Sequence, residues 1–573
     1  EAIGDGAAVD PYLLGLDTAR IRAAYLRRGF FAVTVTPAVE QRGGRQIVTF
    51  TVAEGRRAVS RVEITGLPPE VAPAAARAAV GLGDGAPFDY DTYDAAKQPL
   101  IDRVANAGYA HVRITGAVTA EPGGATAAVR YTVEPGPRCT FGQIRIPPLA
   151  PDLAAAVRAR LPFATGDRYS AAALVEAQSE LTQLGRFSSV TVVADRSGDG
   201  PVIDVAVELA AATRREVHLG GGLGYEPLTY ELRVIAGYSV VPEAHPLVTA
   251  AVDSRVAATL PHGATAGAGP VQPKVRLLGS LQRIDLGWPR VRGEVEAGFD
   301  YQTVEAYTWT GPHIRLGLGA PLGPHWLQAR IGWLLEELGF VNIDTTVDDN
   351  ARGKLGLQGL QRLGAYQASL VADLRDDPIE PHSGVYAAAT AVVGAGYAGG
   401  ALSYRQVTPE LRGYLSVAGT VLAIRARAGQ IFGEVPVTER YFSGGNAERG
   451  FSDRQLAPRV SDQGCSDTEP KAIVIGGAGL IETGVELRRP LASPWTVPVG
   501  VNLFLDGANV TCDAGSVDPR KLRWAAGTGL WGKIVGLKVR IELGYRLDGN
   551  DQLSGGSSAF GRFAWHIGIG EAY

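Results

Sequence analysis

Arg449 stands near the end of the segment Tyr441-Phe442-Ser443-Gly444-Gly445-Asn446-Ala447-Glu448-Arg449-Gly450-Phe451, between two long runs that alternate apolar and polar residues. Gly444, Gly445 and Gly450 permit backbone conformations closed to other residues and a close approach to a wall. Arg449 then brings a permanent, forked cation into a confined space, where an ionised group is costly unless it is paired. The chemistry this predicts is a buried ion pair rather than a reaction. In the downstream run 497–506, Val497, Val499, Val501, Leu503 and Leu505 point one way while Gly500, Asn502, Phe504 and Asp506 point the other, so Asp506 is on the polar wall. In the run before it, Glu482, Gly484, Glu486 and Arg488 oppose Ile481, Val485 and Leu487. The segment reads as a loop folded back inside a barrel, with Arg449 crossing the lumen to Asp506 and Glu486 the next candidate partner. A solvated surface turn whose arginine pairs with nothing is the alternative.

Signals for catalysis are weak. The eight histidines are scattered, and His262, His313, His325 and His382 form no His-x-x-x-His ligand spacing. No Gly-x-Ser-x-Gly elbow occurs, and glycine runs such as Gly394-Ala395-Gly396 lie in strand-like sequence without a following helix, which argues against phosphate binding. Asp373, Asp376 and Asp377 could hold a cation, but a proline-bounded turn capped by its own carboxylates is the expected arrangement. The three cysteines do not resemble a metal cluster. Cys465 and Cys512 each lie in a polar loop, on the same side when hairpins are counted from the C-terminus, and a disulfide between them would suit an oxidising compartment. No enzyme activity, cofactor or metal is expected, and a net charge of -4 with a pI near 6.1 gives no reason to expect nucleic acid.

The elements that must carry these residues fall into two regions. With 573 residues the chain can form several domains, and it has 74 glycines and no methionine. It opens at Glu1 without a signal-peptide pattern and is expected to begin at a processed or a first ordered residue. No apolar run approaches the roughly 20 residues of a spanning helix. A mean hydropathy of +0.03 is still compatible with a membrane barrel, because only every second residue of a barrel strand faces lipid. The first 210 residues read as α/β units in series. The first has a helix over 17–28 and strands over 33–39 and 47–53. The second runs strand 59–65, helices 73–80 and 91–107, strands 112–119 and 127–134. The third runs strand 141–146, helices 152–161 and 171–184, strands 190–194 and 202–209. After each second helix comes a glycine and an aromatic, Gly29-Phe30, Gly108-Tyr109 and Gly185-Arg186-Phe187: a helix stop followed by a wedge into the core.

From about residue 212 helical periodicity is absent, and alternating strands broken by Gly, Pro, Asn and Asp run to the end. Val535, Leu537, Val539, Ile541, Leu543 and Tyr545 oppose Gly536, Lys538, Arg540, Glu542, Gly544 and Arg546, a pattern that suits lipid outside and water inside. About 22 residues per strand and connection give roughly sixteen strands. A soluble β-sandwich could also alternate, but would not need so many long strands. Counting back from Tyr573 with the N-terminal units periplasmic, loops 431–478, 511–520 and 548–557 are external, and 491–496, 532–534 and the segment 373–384 are periplasmic turns.

The βααββ order of residues 1–210, with Gly-Tyr/Phe closing the second helix, resembles the POTRA domain, the first copy lacking its opening strand and first helix. Three further motifs resemble the BamA/TamA superfamily of outer-membrane insertases. Arg440 to Phe451 resembles its sixth-loop signature, in which Gly444, Gly445, Arg449, Gly450 and Phe451 form the part tucked into the lumen. Asp373-Leu374-Arg375-Asp376-Asp377-Pro378 with Pro381 and Gly384 resembles its periplasmic turn. Phe504-Leu505-Asp506-Gly507-Ala508-Asn509 resembles its Phe-x-Asp-x-Gly-Asn strand, with Gly507 and Ala508 inverted. The resemblance implies α+β periplasmic POTRA repeats followed by a C-terminal 16-stranded antiparallel transmembrane β-barrel: units at 1–56, 57–137 and 138–211, barrel at 212–573. It implies an outer-membrane location, contact with outer-membrane lipid, and insertion or secretion of unfolded β-rich clients such as autotransporters. Three units point to the TamA branch and to an inner-membrane-anchored, periplasm-spanning partner at the first of them. A BamA-type general assembly factor and a two-partner secretion pore stay open as alternatives. A lateral seam is expected between the first strand, around 217–225, and the last, 563–573, where Gly220, Gly222, Gly224, Gly568 and Gly570, with the terminal Tyr573, would make pairing weakest.

Overall fold

The computed structural model describes residues 9–43, 45–226, 229–261, 271–304, 306–323, 326–345, 347–451, 454–461, 464–467, 473–491, 493, 497–534, 537–547 and 562–569. The chain divides into two compact units, Glu1–Ala212 and Thr213–Tyr573.

The first unit opens with helix α1 (Pro11–Arg27), followed by strands β1 (Thr34–Arg42) and β2 (Arg45–Ala53), which pair as a hairpin. The helix begins at 11 rather than 17, because Asp10 caps the Tyr12 N–H and Pro11 occupies the position where a missing N–H costs nothing. The second repeat has β3 (Val59–Thr65), α2 (Pro73–Val80), α3 (Tyr90–Ala95), α4 (Lys97–Asn106), β4 (Arg113–Ala120) and β5 (Thr126–Glu134). The third has β6 (Thr140–Arg145), α5 (Pro151–Arg158), α6 (Ala171–Gln183), β7 (Phe187–Ala194) and β8 (Val202–Ala211). Their sheets, β3-β5-β4 and β6-β8-β7, pair the first strand parallel and the middle strand antiparallel to the last. The helix expected over 91–107 is broken at Ala96, since Pro99 in the first turn of α4 has no N–H to give to the Ala95 carbonyl. Gly29, Gly108 and Gly185 have φ of 90°, 107° and 66°, the left-handed geometry of a helix stop. Tyr109 and Phe187 are then buried, whereas Phe30 is half-buried and its neighbour Phe31 packs on Phe88 instead, with centroids 5.5 Å apart.

The second unit is a sixteen-stranded antiparallel sheet in which every strand pairs with the next in sequence. Its strands are β9 (Arg215–Glu226), β10 (Thr229–Val240), β11 (Val248–Pro261), β12 (Gln272–Ile284), β13 (Arg292–Thr303) and β14 (Thr308–Pro321). They continue as β15 (Leu327–Val341), β16 (Leu360–Asp373), β17 (Gly384–Gly394), β18 (Tyr404–Val417) and β19 (Thr420–Gly433). The last five are β20 (Gly479–Pro490), β21 (Val499–Thr511), β22 (Arg523–Ile534), β23 (Leu537–Arg546) and β24 (Phe563–Ile569). A short helix, α7 (Asp349–Leu355), lies in the β15–β16 connection. The turn expected over 532–534 is instead the end of β22, and residues 535–536 lie outside the described residues.

The faces of this sheet invert the usual rule. Leu219, Val252, Ile331, Leu411, Leu530 and Ile567 are all more than half exposed on the outside, while Asp300, Arg425, Glu482, Glu486, Asn502 and Arg540 are buried inside. An apolar exterior around a charged interior is stable when lipid is the outer solvent. No helix among the described residues is long and apolar enough to cross a membrane.

In the first unit, the Tyr131 hydroxyl donates to the Tyr93 carbonyl at 2.9 Å within the core of the second repeat. Tyr131→Phe is expected to cost about 1 kcal/mol, since it leaves a buried acceptor short of its partner. Urea unfolding of residues 1–212 should show a lower midpoint at unchanged slope.

Candidate functional site

The connection between β19 and β20 turns into the lumen. Gly444 and Gly445 take φ of 126° and 61°, and the Gly445 N–H donates to the Phe451 carbonyl at 2.9 Å, which closes the tip into a compact turn. Tyr441 anchors the entry. Its hydroxyl contacts Thr408 Oγ1 at 2.7 Å and Gln406 Nε2 at 3.1 Å, and its ring lies over Gly429, where a Cβ would come within 2.5 Å of it. The Ser443 hydroxyl donates to Glu482 Oε1 at 2.7 Å.

At the tip, Arg449 is fully buried. Its Nε and Nη2 donate to the two carboxylate oxygens of Asp506 at 2.7 and 2.9 Å, and its backbone N–H adds a third contact at 3.3 Å. Nη1 reaches Glu486 Oε2 at 2.5 Å and Glu542 Oε1 at 2.9 Å. The guanidinium carbon lies 3.8 Å from the centre of the Phe504 ring. Glu486 also accepts from Arg488 Nε at 2.9 Å, and Glu542 from Arg540 Nη1 at 2.5 Å. Three carboxylates therefore face three guanidiniums, and the cluster is close to neutral where water is excluded. Glu448 beside it is fully buried, and neither carboxylate oxygen has a hydrogen-bond partner among the described residues. Burial, with Asp506 and Glu482 nearby, holds its carboxyl well above the usual carboxylate range.

The wall is shaped for this tip. A Cβ on Gly544 would fall 1.6 Å from the Arg449 carbonyl oxygen, and one on Gly450 would fall 2.3 Å from Ala525 Cβ. Phe451 is fully buried with Leu456, Ala508 and Ala525. Asp506 and Glu486, alternatives when read by spacing, bind Arg449 together. Glu542, Phe504 and Gly544 were not assigned to the site from sequence, although the alternation of β23 already put Glu542 and Gly544 on the inner face.

The other expected residues fall as follows. Asp373 and Arg375 form a two-point pair, both contacts 2.7 Å, and the Arg375 guanidinium lies 4.9 Å from the Tyr386 ring centre. Asp376 Oδ1 accepts from the backbone N–H groups of Asp377, His382 and Ser383, while Asp377 Oδ1 accepts from Ile379 and Glu380, so both carboxylates cap the Pro381-containing turn. Gly384 has φ of 109° with its α-carbon hydrogens against the Leu374 carbonyl, where a Cβ would clash at 2.2 Å. Glu380, to which sequence gave no role, pairs with Lys533 on β22 and with Lys538 on β23, the latter at 3.5 Å. Cys465 and Cys512 are joined by a disulfide with Cα atoms 5.8 Å apart, tying the inturned connection to the one after β21. Gly220, Gly222 and Gly224 lie on β9 and Gly568 on β24. Gly222 and Gly568 each have a neighbouring guanidinium over them, Arg233 and Arg540, so they also relieve crowding. Gly570 and Tyr573 lie outside the described residues.

Comparisons with known proteins agree with this geometry. The Omp85 superfamily domain matches residues 276–570, and a POTRA family, the surface antigen variable number repeat, matches residues 58–136. No curated protein matches the chain. Among solved structures, BamA from Haemophilus ducreyi lacking POTRA domains 1–3 is 14% identical over 90% of this chain and 99% of that one, with a TM-score of 0.55. CdiB from Escherichia coli is 15% identical over 98% of this chain and 99% of that one, with a TM-score of 0.46. At these identities the likeness is one of fold.

Arg449→Ala leaves three buried carboxylates without their shared cation and is expected to destabilise the seated loop by about 3–5 kcal/mol. Gly544→Ala, which removes no charge, should unseat the same loop by collision. Both should expose residues 441–456 to protease in the folded barrel. Protection equal to wild type in both would discard the role of the hook.

Proposed function

The chain belongs to the Omp85 superfamily and is an outer-membrane barrel with N-terminal POTRA domains in the periplasm, and from that premise we propose that it is an insertase for β-rich outer-membrane proteins. Clients such as autotransporters would enter the bilayer through a lateral seam between β9 and β24. Such a protein needs no bond chemistry, only a lower barrier for moving a strand-rich chain from water to lipid. A closed barrel is stable because every edge is paired, so the place to admit a client is the place where pairing is least.

One observation carries the reading. The ladder is continuous from β9 through β24, yet no backbone ladder joins the two end strands among the described residues, although their Cα atoms approach within 8 Å. Edges left in this state can template an incoming strand by β-augmentation. In the periplasmic repeats, β4 and β7 are likewise sheet edges, suited to holding an extended client before it reaches the barrel. The division into units at 1–56, 57–137 and 138–211, the first built as one helix and a hairpin, supports the TamA branch and a partner anchored in the inner membrane and docking on that first unit.

A two-partner secretion pore is the second reading. It draws on a lumen cavity of about 480 Å³ bounded by Glu294, Glu296, Arg315 and Gln406. Ion conductance that appears when a secreted partner binds would favour it over the insertase.

Cysteine pairs placed between Val217, Leu219 or Leu223 on β9 and Trp565 or Ile567 on β24 should lock the seam. Insertion of a β-barrel client into proteoliposomes is expected to stop in the locked protein and return on reduction, with wild type in the same reductant as reference. Full insertion by a locked barrel would refute the lateral route.

A further inference from the structure

Three ionisable side chains from neighbouring strands converge on the inner face of β13–β15. His313 on β14 lies directly across from Glu336 on β15 and from Gly298 on β13. Asp300 stands two residues beyond Gly298, on the same face. The glycine leaves room for the imidazole: a Cβ at 298 would fall 2.5 Å from His313 Cε1 and 2.6 Å from Nε2. Asp300 is 3% exposed, and His313 and Glu336 are 7% exposed each. One ligand atom of each residue lies within 4.8 Å of the others. His313 Nδ1 is buried 3.1 Å from Asp300 Oδ2 but makes no hydrogen bond among the described residues. The two atoms are thus close enough to share a ligand without being hydrogen-bonded to each other. The other oxygen of Asp300 accepts from Arg276 Nε at 2.7 Å, an outer contact that orients the carboxylate and leaves Oδ2 free for a ligand.

We propose that Asp300, His313 and Glu336 form a binding site for a divalent transition metal, with zinc the best fit. Zinc bonds of 2.0–2.2 Å place neighbouring ligand atoms of a tetrahedral shell about 3.3 Å apart, close to the His313–Asp300 separation, so binding mainly draws Glu336 inward. Imidazole with two carboxylates suits zinc, whereas magnesium and calcium favour oxygen-only shells. Two carboxylates and a neutral imidazole also balance the ion's charge, and the fourth position is left to water from the lumen. The ion would staple three consecutive strands near the ends where the inturned loop begins. There the Tyr307 hydroxyl, in the β13–β14 connection, donates to the Val437 carbonyl at 3.2 Å.

The test uses the full chain, folded in detergent, stripped with EDTA and dialysed against zinc chloride. One zinc per chain by mass spectrometry is expected, with cobalt substitution giving the visible absorption of a four- or five-coordinate site. His313→Ala and the isosteric Glu336→Gln should each weaken zinc binding by about a hundred-fold or more, and Arg276→Gln by roughly 10–100-fold, the range of outer-contact changes. Heat-modifiable gel mobility reports whether each variant keeps its barrel, and if His313→Ala does not fold, Glu336→Gln decides. The proposal is overturned if wild type retains no stoichiometric zinc, if the folded variants bind it as tightly as wild type, or if magnesium or calcium displaces it at equal concentration.

Discussion

A guanidinium with no exposure to water needs charge close by, and in this barrel that need fixes where a whole loop goes. Moving a cation into a poorly hydrated interior costs several kcal/mol even after relaxation, and only near-ideal geometry offsets it. Arg449 meets the requirement with a two-point contact to Asp506, further contacts to Glu486 and Glu542, and the face of Phe504. Its carboxylate partners are themselves shared with Arg488 and Arg540, so no member can leave without unbalancing the rest. Such a cluster contributes less to net stability than its contacts suggest, because most of its Coulomb energy offsets desolvation. What it supplies is position: one place on the wall where this tip can sit.

That placement was partly legible in the sequence. Strand alternation has a period of two, so Asp506 and Glu486 are readable as inward-facing from their neighbours alone, and so is Glu542. Which inward residues meet is a different question. Glu542 lies two strands from Asp506 and three from Glu486 in the sheet, and it is the inturned Arg449 that gathers all three. The same limit hid the cluster on β13–β15. A search for His-x-x-x-His finds spacing along a helix, whereas His313, Asp300 and Glu336 are brought together by cross-strand register. The misread details of the periplasmic repeats were local. The break at Ala96 follows from Pro99, and the early start of α1 follows from Asp10 and Pro11, which act through backbone hydrogen bonds rather than apolar spacing.

The acidic turn between β16 and β17 shows the reverse case, where composition suggested two chemistries and geometry separates them. Asp376 and Asp377 each turn Oδ1 to backbone N–H groups of the turn itself, which makes them caps. Asp373 is held by Arg375, and that arginine and Arg412 flank the Tyr386 ring at 4.9 and 5.0 Å. The residue left to reach outward is Glu380, and it pairs with Lys533 and Lys538 on β22 and β23.

These contacts distribute rigidity unevenly around the barrel. The inturned tip touches β20 through Glu486, β21 through Asp506, β22 through Ala525 and β23 through Glu542 and Gly544. Glu380 adds a second tie to β22 and β23 at their other end. Four consecutive strands are thus bound to each other by side chains as well as by ladders, and His566 on β24, paired with Glu542, also meets the Arg449 backbone. Any opening of the wall must separate strands, and separating β20 to β23 would break a buried ionic cluster in addition to a ladder. Among the described residues, parting β24 from β9 breaks neither. A seam at that point is therefore consistent with the hook staying seated during opening, with β24 remaining on the hook's side of the gap through His566.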